Sequence, residues 1–152
     1  MTDAEAVERC YREQGVKLWR AVLLFGGDPD VASDAVSEAF AQALRRGSQI
    51  RSVDAWVWRA AFKIAGAELK RRRTLAELVE LPVDMSPPTV DLVRALRSLS
   101  PKQRGAVILH HYAGYSNRET AAILGSTTAA VGVHLQRARA HLRTALEVPD
   151  DA

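Results

Sequence analysis

Residues that start and stop α-helices recur along this whole chain. Between them no segment alternates apolar and polar side chains as a half-buried strand would. That pattern alone predicts an all-α fold. Thr2 stands three residues before Glu5, the spacing of a capping box, and opens a helix that runs to about Phe25, where Gly26-Gly27 stops it. Asp28-Pro29 is an N-cap followed by a first-turn proline, and Gly47 closes the helix it opens. Ser52 or Asp54 starts a third helix ending in Lys70-Arg71-Arg72-Arg73, cations that complement the negative end of the helix dipole. Residues 74–89 are the expected linker, with Pro87-Pro88 read as a helix breaker and Leu75, Leu78, Val79 and Leu81 leaving room for a short helix. Helix signals resume at Val90–Leu99. Ser100-Pro101-Lys102-Gln103 then combines N-cap, first-turn proline and capping-box glutamine, for a helix ending near Gly114. Ser116 with Glu119 is another capping box, Gly125 ends that short helix, and Thr127 caps a last one reaching about Leu146. The expected organisation is two small helical domains joined by a short linker: three helices in 1–73, a linker at 74–89, four helices in 90–147 and an acidic tail at 148–152.

Composition narrows the function classes. With 152 residues, 47% apolar and 26% charged, the chain suits one ordinary domain or two small ones, not a disordered segment. A single cysteine excludes a disulfide framework and a cysteine-rich zinc site. No run approaches the ~18 apolar residues of a membrane span. The acidic start Met1-Thr2-Asp3-Ala4-Glu5 has no apolar signal-peptide core, so a cytoplasmic location without membrane partners is expected. The net charge of +3 hides strong segregation. Residues 1–73 carry 13 Lys/Arg against 10 Asp/Glu, residues 74–91 four acids and no base, and residues 92–146 eight Lys/Arg against Glu119 alone. Two basic blocks around an acidic connector point to two contacts with a polyanion.

Helical periodicity sorts the first block. On Pro29–Arg46, residues Val31, Ala35, Val36, Ala39, Phe40, Ala43 and Leu44 form an apolar stripe, and Asp34 and Glu38 stack four apart on its rim. Stacked like charges cost a few tenths of a kcal/mol, which a cationic partner offsets; an ordinary solvated face is the competing reading. On Val53–Arg73 the expected buried side is Val53, Val57, Ala60, Ala61, Ile64 and Ala65, with Trp58 nearer the core. Arg59, Lys63 and Lys70 fall within about 40° of one another, with Trp56 at one edge, Phe62 toward the other and Gly66 within the stripe. Cations that track phosphates beside rings that stack on bases suit single-stranded nucleic acid.

The second block has helix-turn-helix proportions: Ser116–Leu124, a turn at Gly125, then Thr127–Leu146. Val131, Leu135, Ala138, Leu142 and Leu146 make a narrow core stripe, and Gln136, Arg137, Arg139 and Arg143 face away from it. The N-terminal end that enters the major groove in such motifs holds Ala129, Ala130, Gly132 and Val133. The duplex-binding candidates are Arg118, Thr127, Thr128, His134, Gln136 and Arg137: Thr127 and Thr128 for phosphate, Gln136 for adenine, Arg137 for guanine or phosphate. Ala129 or Val133 can touch a thymine methyl.

These segments together resemble bacterial RNA polymerase sigma factors of the extracytoplasmic-function class of the sigma-70 family, over residues from about 15 to 146. Ala32-Ser33-Asp34-Ala35-Val36-Ser37-Glu38-Ala39-Phe40 resembles the polymerase-binding segment, and Ala55-Trp56-Val57-Trp58-Arg59-Ala60-Ala61 the promoter-melting segment. Leu99-Ser100-Pro101-Lys102-Gln103-Arg104, Gly114-Tyr115-Ser116, Glu119-Thr120-Ala121, Leu124-Gly125 and Gln136-Arg137-Ala138-Arg139-Ala140-His141-Leu142-Arg143 follow the promoter-reading domain. The resemblance implies that the Asp34/Glu38/Phe40 helix binds the β′ clamp helices of core RNA polymerase. It further implies that Trp56, Arg59, Lys63 and Lys70 hold the unpaired minus-ten strand, and that the second domain binds the β flap tip and the minus-thirty-five duplex. An anti-sigma factor as partner is implied by the resemblance alone. Ser37, Phe62 and Lys63 stand where glutamine, arginine and asparagine are usual; Ala130, Gly132 and His134 stand where Thr, Lys and Arg are common.

Two other readings remain open here: a stand-alone helix-turn-helix regulator, and a sigma-like protein that binds polymerase without reading promoters. Catalysis is not expected. His110 and His111 are adjacent and point about 100° apart on a helix, Cys10 has no nearby histidine and reads as a buried thiol, and no glycine-rich phosphate loop occurs. No cofactor or metal is expected.

Overall fold

A computed structural model describes residues 2–72 and 87–145, and every regular element among them is helical. The chain divides into two compact units, 1–79 and 80–152.

The first unit contains α1 (Asp3–Gly26), α2 (Pro29–Arg46), a single 3₁₀ turn (Gly47–Gln49) and α3 (Val53–Arg72). Its boundaries are local chemistry. Thr2 and Glu5 form the reciprocal capping box, and Gly27 ends α1 in the left-handed conformation at φ 74°. Asp28 caps α2 through the amides of Asp30 and Val31. At α3 the N-terminal side-chain contact comes from Ser52, whose hydroxyl accepts from the Ala55 amide at 3.5 Å.

The three helices pack on one another through small residues. Ala32, Ala35, Ala39 and Ala43 of α2 are completely buried, so the helix axes can approach closely and admit larger side chains from either side. Leu18, Ala21, Val22 and Phe25 come from α1; Val57, Trp58, Ala61, Phe62 and Ala65 come from α3. The Phe25 and Phe62 rings lie 4.9 Å apart, and Trp58 stacks on Phe62 at 6.2 Å.

This core departs from the expected one in three places. Leu44 is 56% exposed and Ala32 takes its place in the α2 stripe. On α3 the buried side is rotated toward Trp58 and Phe62, leaving Val53, Ala60 and Ile64 half-buried. Gly66 faces Phe25, whose ring would lie in ordinary contact at 3.9 Å from an added Cβ, so it lies on the side toward α1 and not within the basic stripe. The shared cause is that α3 must contact both α1 and α2, and the larger rings fill the volume between three helices.

The second unit contains α4 (Pro87–Arg97), α5 (Pro101–Val107), α6 (Asn117–Leu124) and α7 (Thr128–Ala145). The start expected at Val90 is corrected: Pro87 and Pro88 are the first residues of α4, not a break before it. A first helical turn has no intrahelical partner for its N–H groups, so proline costs nothing there. The apolar residues between 75 and 81, and the boundaries expected at 73 and 147, lie outside the described residues.

α5 runs directly into a π-helical turn, Ile108–Tyr112, before Gly114 turns the chain at φ 82°. The wider turn has no counterpart in the expected pattern. Arg104 is buried and donates from Nε to the Leu96 carbonyl (3.1 Å) and from Nη2 to the Leu99 carbonyl (3.2 Å). It thereby satisfies the end of α4 from α5. Burial, and then the nearby Arg97, push the Arg104 pKa down from its ordinary range. Ala106, Ala121, Val131 and Leu135 form the buried contact among α5, α6 and α7, with Val107 and Leu124 packed against it.

Candidate nucleic-acid interface

The acidic pair on α2 is exposed, as its rim position requires. Glu38 accepts from Gln42 Nε2 and from Arg45 Nη2, each at 3.0 Å, and these two partners hold its carboxyl below the usual range. Asp34 makes no hydrogen bond or ion pair among the described residues. Phe40 is only 6% exposed, with its ring edge-on to Tyr11 at 5.2 Å. In this structure Phe40 is therefore a core residue that fixes the α2 face, and Tyr11 and Leu44 are the apolar side chains open beside it.

Arg59, Lys63 and Lys70 are exposed on one side of α3 and make no ion pair among the described residues. The two arginines beside them are engaged differently. Arg71 bonds Glu68, and Arg72 reaches both Glu68 (Nε, 3.1 Å) and the Asp28 carboxylate that caps α2. Asp28 raises the Arg72 pKa; Arg72 in turn holds the Asp28 carboxyl down, outweighing the upward push of burial. The end of α3 thus divides into an interhelical clasp (Arg72) and an outward cation (Lys70).

Trp56 is half-buried, and the Arg46 guanidinium lies 5.7 Å from its ring centroid. Arg46 is a member of this site that face analysis of α3 misses. Its only sequence signal is a cation at the end of α2, one short connection before the Trp56 turn. Phe62, expected at the far edge of the stripe, is 2% exposed, so Trp56 is the ring that α3 itself presents beside these cations.

In the second unit, Thr127 Oγ1 accepts from the Ala130 amide at 3.1 Å, so this hydroxyl oxygen caps α7. Arg118, Thr127, Thr128, Gln136 and Arg137 are all exposed. His134 is half-buried and its Nδ1 is buried with no hydrogen-bond partner among the described residues. Burial first, then the Lys102 and Arg137 charges, hold its pKa below that of an ordinary imidazole. His110 Nδ1–H donates to the Tyr115 carbonyl at 2.8 Å, which uses this ring to fasten the turn before α6. His141 bonds the Ser98 hydroxyl at 2.8 Å and joins α7 to the end of α4.

Among the described residues no group of acids, histidines or cysteines could hold a metal ion, and no helix is long and apolar enough to cross a membrane. Cys10 is buried, and that burial, reinforced by Asp54, pushes its thiol pKa up, away from nucleophilic use.

Known proteins share both the sequence and the architecture. Residues 89–142 match the family model described as Sigma-70, region 4. The RNA polymerase sigma-E factor of Streptomyces antibioticus is 34% identical over 135 residues, covering 81% of this chain and 74% of that protein. The RNA polymerase sigma-E factor of Streptomyces coelicolor is 35% identical, covering 81% and 76%. The extracytoplasmic-function sigma factor SigM of Mycobacterium tuberculosis is 29% identical, covering 92% and 76%. Among solved structures, the sigma factor RpoE of Bartonella quintana, crystallised with the anti-sigma factor NepR, shares the fold at a TM-score of 0.75 and 22% identity, covering 93% of this chain and 99% of that one. On this sequence relationship, the chain belongs to the extracytoplasmic-function class of the sigma-70 family of RNA polymerase sigma factors, which direct transcription initiation.

Proposed function

We propose that the two units divide the work of initiation by surface chemistry. The observation that carries this reading is the separation, within the first unit, of exposed carboxylates on α2 from unpaired cations on α3. Asp34 and Glu38 meet cationic residues of the β′ clamp helices of core RNA polymerase, with Phe40 holding their helix face from beneath. Asp34 contributes an unengaged charge, whereas Glu38 must share or exchange Arg45. Trp56, Arg59, Lys63 and Lys70 hold the unpaired minus-ten strand, the cations on phosphates and the ring on a base. The second unit places α7 in the minus-thirty-five major groove, where the α7 amides, Thr127 and Thr128 anchor phosphate and Gln136 and Arg137 reach base edges. Arg118 adds a backbone contact from α6. The β flap tip is the polymerase contact of this unit, and the two functional domains are the one holding α1–α3 and the one holding α4–α7.

This is a binding role without chemistry on a substrate, carried out in the cytoplasm where core polymerase and promoter DNA reside. One structural neighbour, the sigma factor RpoE, was solved in complex with an anti-sigma factor, which supports an anti-sigma protein as a regulatory partner. A second reading rests on α7: its first turns carry few polar side chains, which favours a protein that binds polymerase but does not read duplex. Run-off transcription with purified core enzyme over genomic promoter fragments decides between them. The proposal requires fragment-specific transcripts that appear only when this chain is added. A stable complex with core enzyme that yields no transcript and no open complex would leave the second reading; absence of any complex removes both.

A further inference from the structure

The first two turns of α7, Thr128–Leu135, are an unusual surface for a helix that enters a major groove. Thr128, Ala129 and Val133 are exposed there, and Val133 is open at 43% of its surface. An added Cβ at Gly132 would meet nothing within 4 Å, so the glycine lies on open surface. At about 100° per residue, Ala129, Val133 and Gln136 form the outward line, opposite the buried Val131, Leu135 and Ala138, with Thr128 and Gly132 along one edge of it. The polar groups that could read bases at this end are engaged or turned aside: Thr127 Oγ1 caps the helix, and His134 Nδ1 is buried. Cations surround the surface without occupying it, since Arg118 lies on α6 and Arg137, Arg139 and Arg143 lie farther along α7. Positive charge around an apolar centre fits a duplex whose phosphates are held outside and whose groove floor is apolar at the contact. In the major groove the apolar feature is the thymine 5-methyl group.

We infer that this sigma factor reads its duplex element through thymine methyl groups, with Val133 as the specificity-determining contact and Gly132 as the notch that lets the helix backbone approach them. Ala129 extends the same apolar surface by one turn. Gln136, next along the outward line, pairs with an adenine N6/N7 edge, so the two contacts together select A·T pairs. The inference rests on the minus-thirty-five role proposed above and adds to it the base class recognised.

The test starts by selecting duplexes from a randomised library with the full chain bound to bacterial core RNA polymerase. Each thymine of the selected upstream element is then replaced by deoxyuridine, which removes the methyl group and leaves every hydrogen-bonding edge intact. One buried methyl predicts an affinity loss of about fourfold at the contacted position. Val133→Ser abolishes the thymine-over-uracil preference there while retaining the salt dependence that phosphate contacts give. Val133 is exposed, so the variant keeps its fold, and unchanged α-helical circular dichroism verifies this. A selected element in which no uracil replacement changes affinity overturns the inference and leaves the promoter-binding role standing. Full retention of the preference by Val133→Ser overturns it in the same way. Failure to select any duplex element overturns both.

Discussion

Asp28→Ala measures how the first unit is fastened, because one carboxylate serves two helices. One oxygen accepts from the amides of Asp30 at 2.8 Å and Val31 at 3.4 Å, and the other accepts from Arg72 at the far end of α3. Removing the cap costs about 1 kcal/mol. The ion pair joins side chains that are 11% and 26% exposed. Its loss adds ~1 kcal/mol, the upper end for solvent-accessible pairs, because Arg72 keeps Glu68. Asp28→Ala is therefore expected to destabilise by about 2 kcal/mol. Asp28→Asn, which still caps, should cost ~1 kcal/mol, as should Arg72→Ala. The double variant Asp28→Ala with Arg72→Ala should lose ~2 kcal/mol, giving a coupling of ~1 kcal/mol. Trp19, Trp56 and Trp58 all lie in the first unit, so tryptophan fluorescence in urea follows this unit alone. A coupling below ~0.3 kcal/mol, or an Asn variant as unstable as the Ala variant, would refute the two-partner account. The same group sets an acid dependence. Burial alone would raise its pKa, but Arg72 and the two amides keep the folded value below the ordinary 3.8. The stabilisation is thus complete above that unfolded value and is lost as pH falls through the folded one, so the advantage of the native chain over Asp28→Asn shrinks in strong acid.

Three further outcomes follow from the same geometry. Asp34→Lys with Glu38→Lys should weaken binding to core RNA polymerase at least about tenfold by fluorescence anisotropy, since two attractive contacts become repulsive; the urea midpoint of tryptophan fluorescence should barely move, because both side chains are exposed. Trp56→Ala should reduce open-complex formation about 5- to 160-fold in permanganate footprinting, the range for one lost base stack, with polymerase binding retained. Arg104→Ala should destabilise the second unit by about 2–3 kcal/mol, read as faster amide hydrogen exchange across α4 and α5, because the Leu96 and Leu99 carbonyls lose their buried donor.

What could be read from sequence was the chemistry that acts over three or four residues. Thr2 with Glu5, Ser100 with Gln103 and Ser116 with Glu119 cap their helices as their spacing says, because both partners lie within one turn. Gly27 and Gly125 end helices at positive φ for an equally local reason. Pro87 and Pro88 show where such reasoning needs direction: proline breaks a helix from within but begins one without cost, and only the course of the chain tells the two apart. The Asp28–Arg72 contact spans 44 residues, so neither side chain announces the other. Leu44 and Phe62 exchanged their expected surroundings because periodicity gives the width of an apolar face, not which neighbouring helix sits over its edge. At the candidate site, the exposure of Asp34, Glu38, Arg59, Lys63 and Lys70 followed from face analysis. The burial of Phe40 followed from the same apolar stripe, whereas the Arg45–Glu38 pair, seven residues apart on α2, and the position of Arg46 over Trp56, which joins two elements, are visible only in the fold.

The close mutual packing of α1, α2 and α3 also bears on synthesis. Each of these helices finds its partners within the first 72 residues. Contacts that close over short stretches of chain form quickly, and a domain can mature while the ribosome is still elongating the remainder. The unit built from α1, α2 and α3 can therefore be finished before α6 and α7 have left the exit tunnel, so its surface is available while the rest of the chain is still being made.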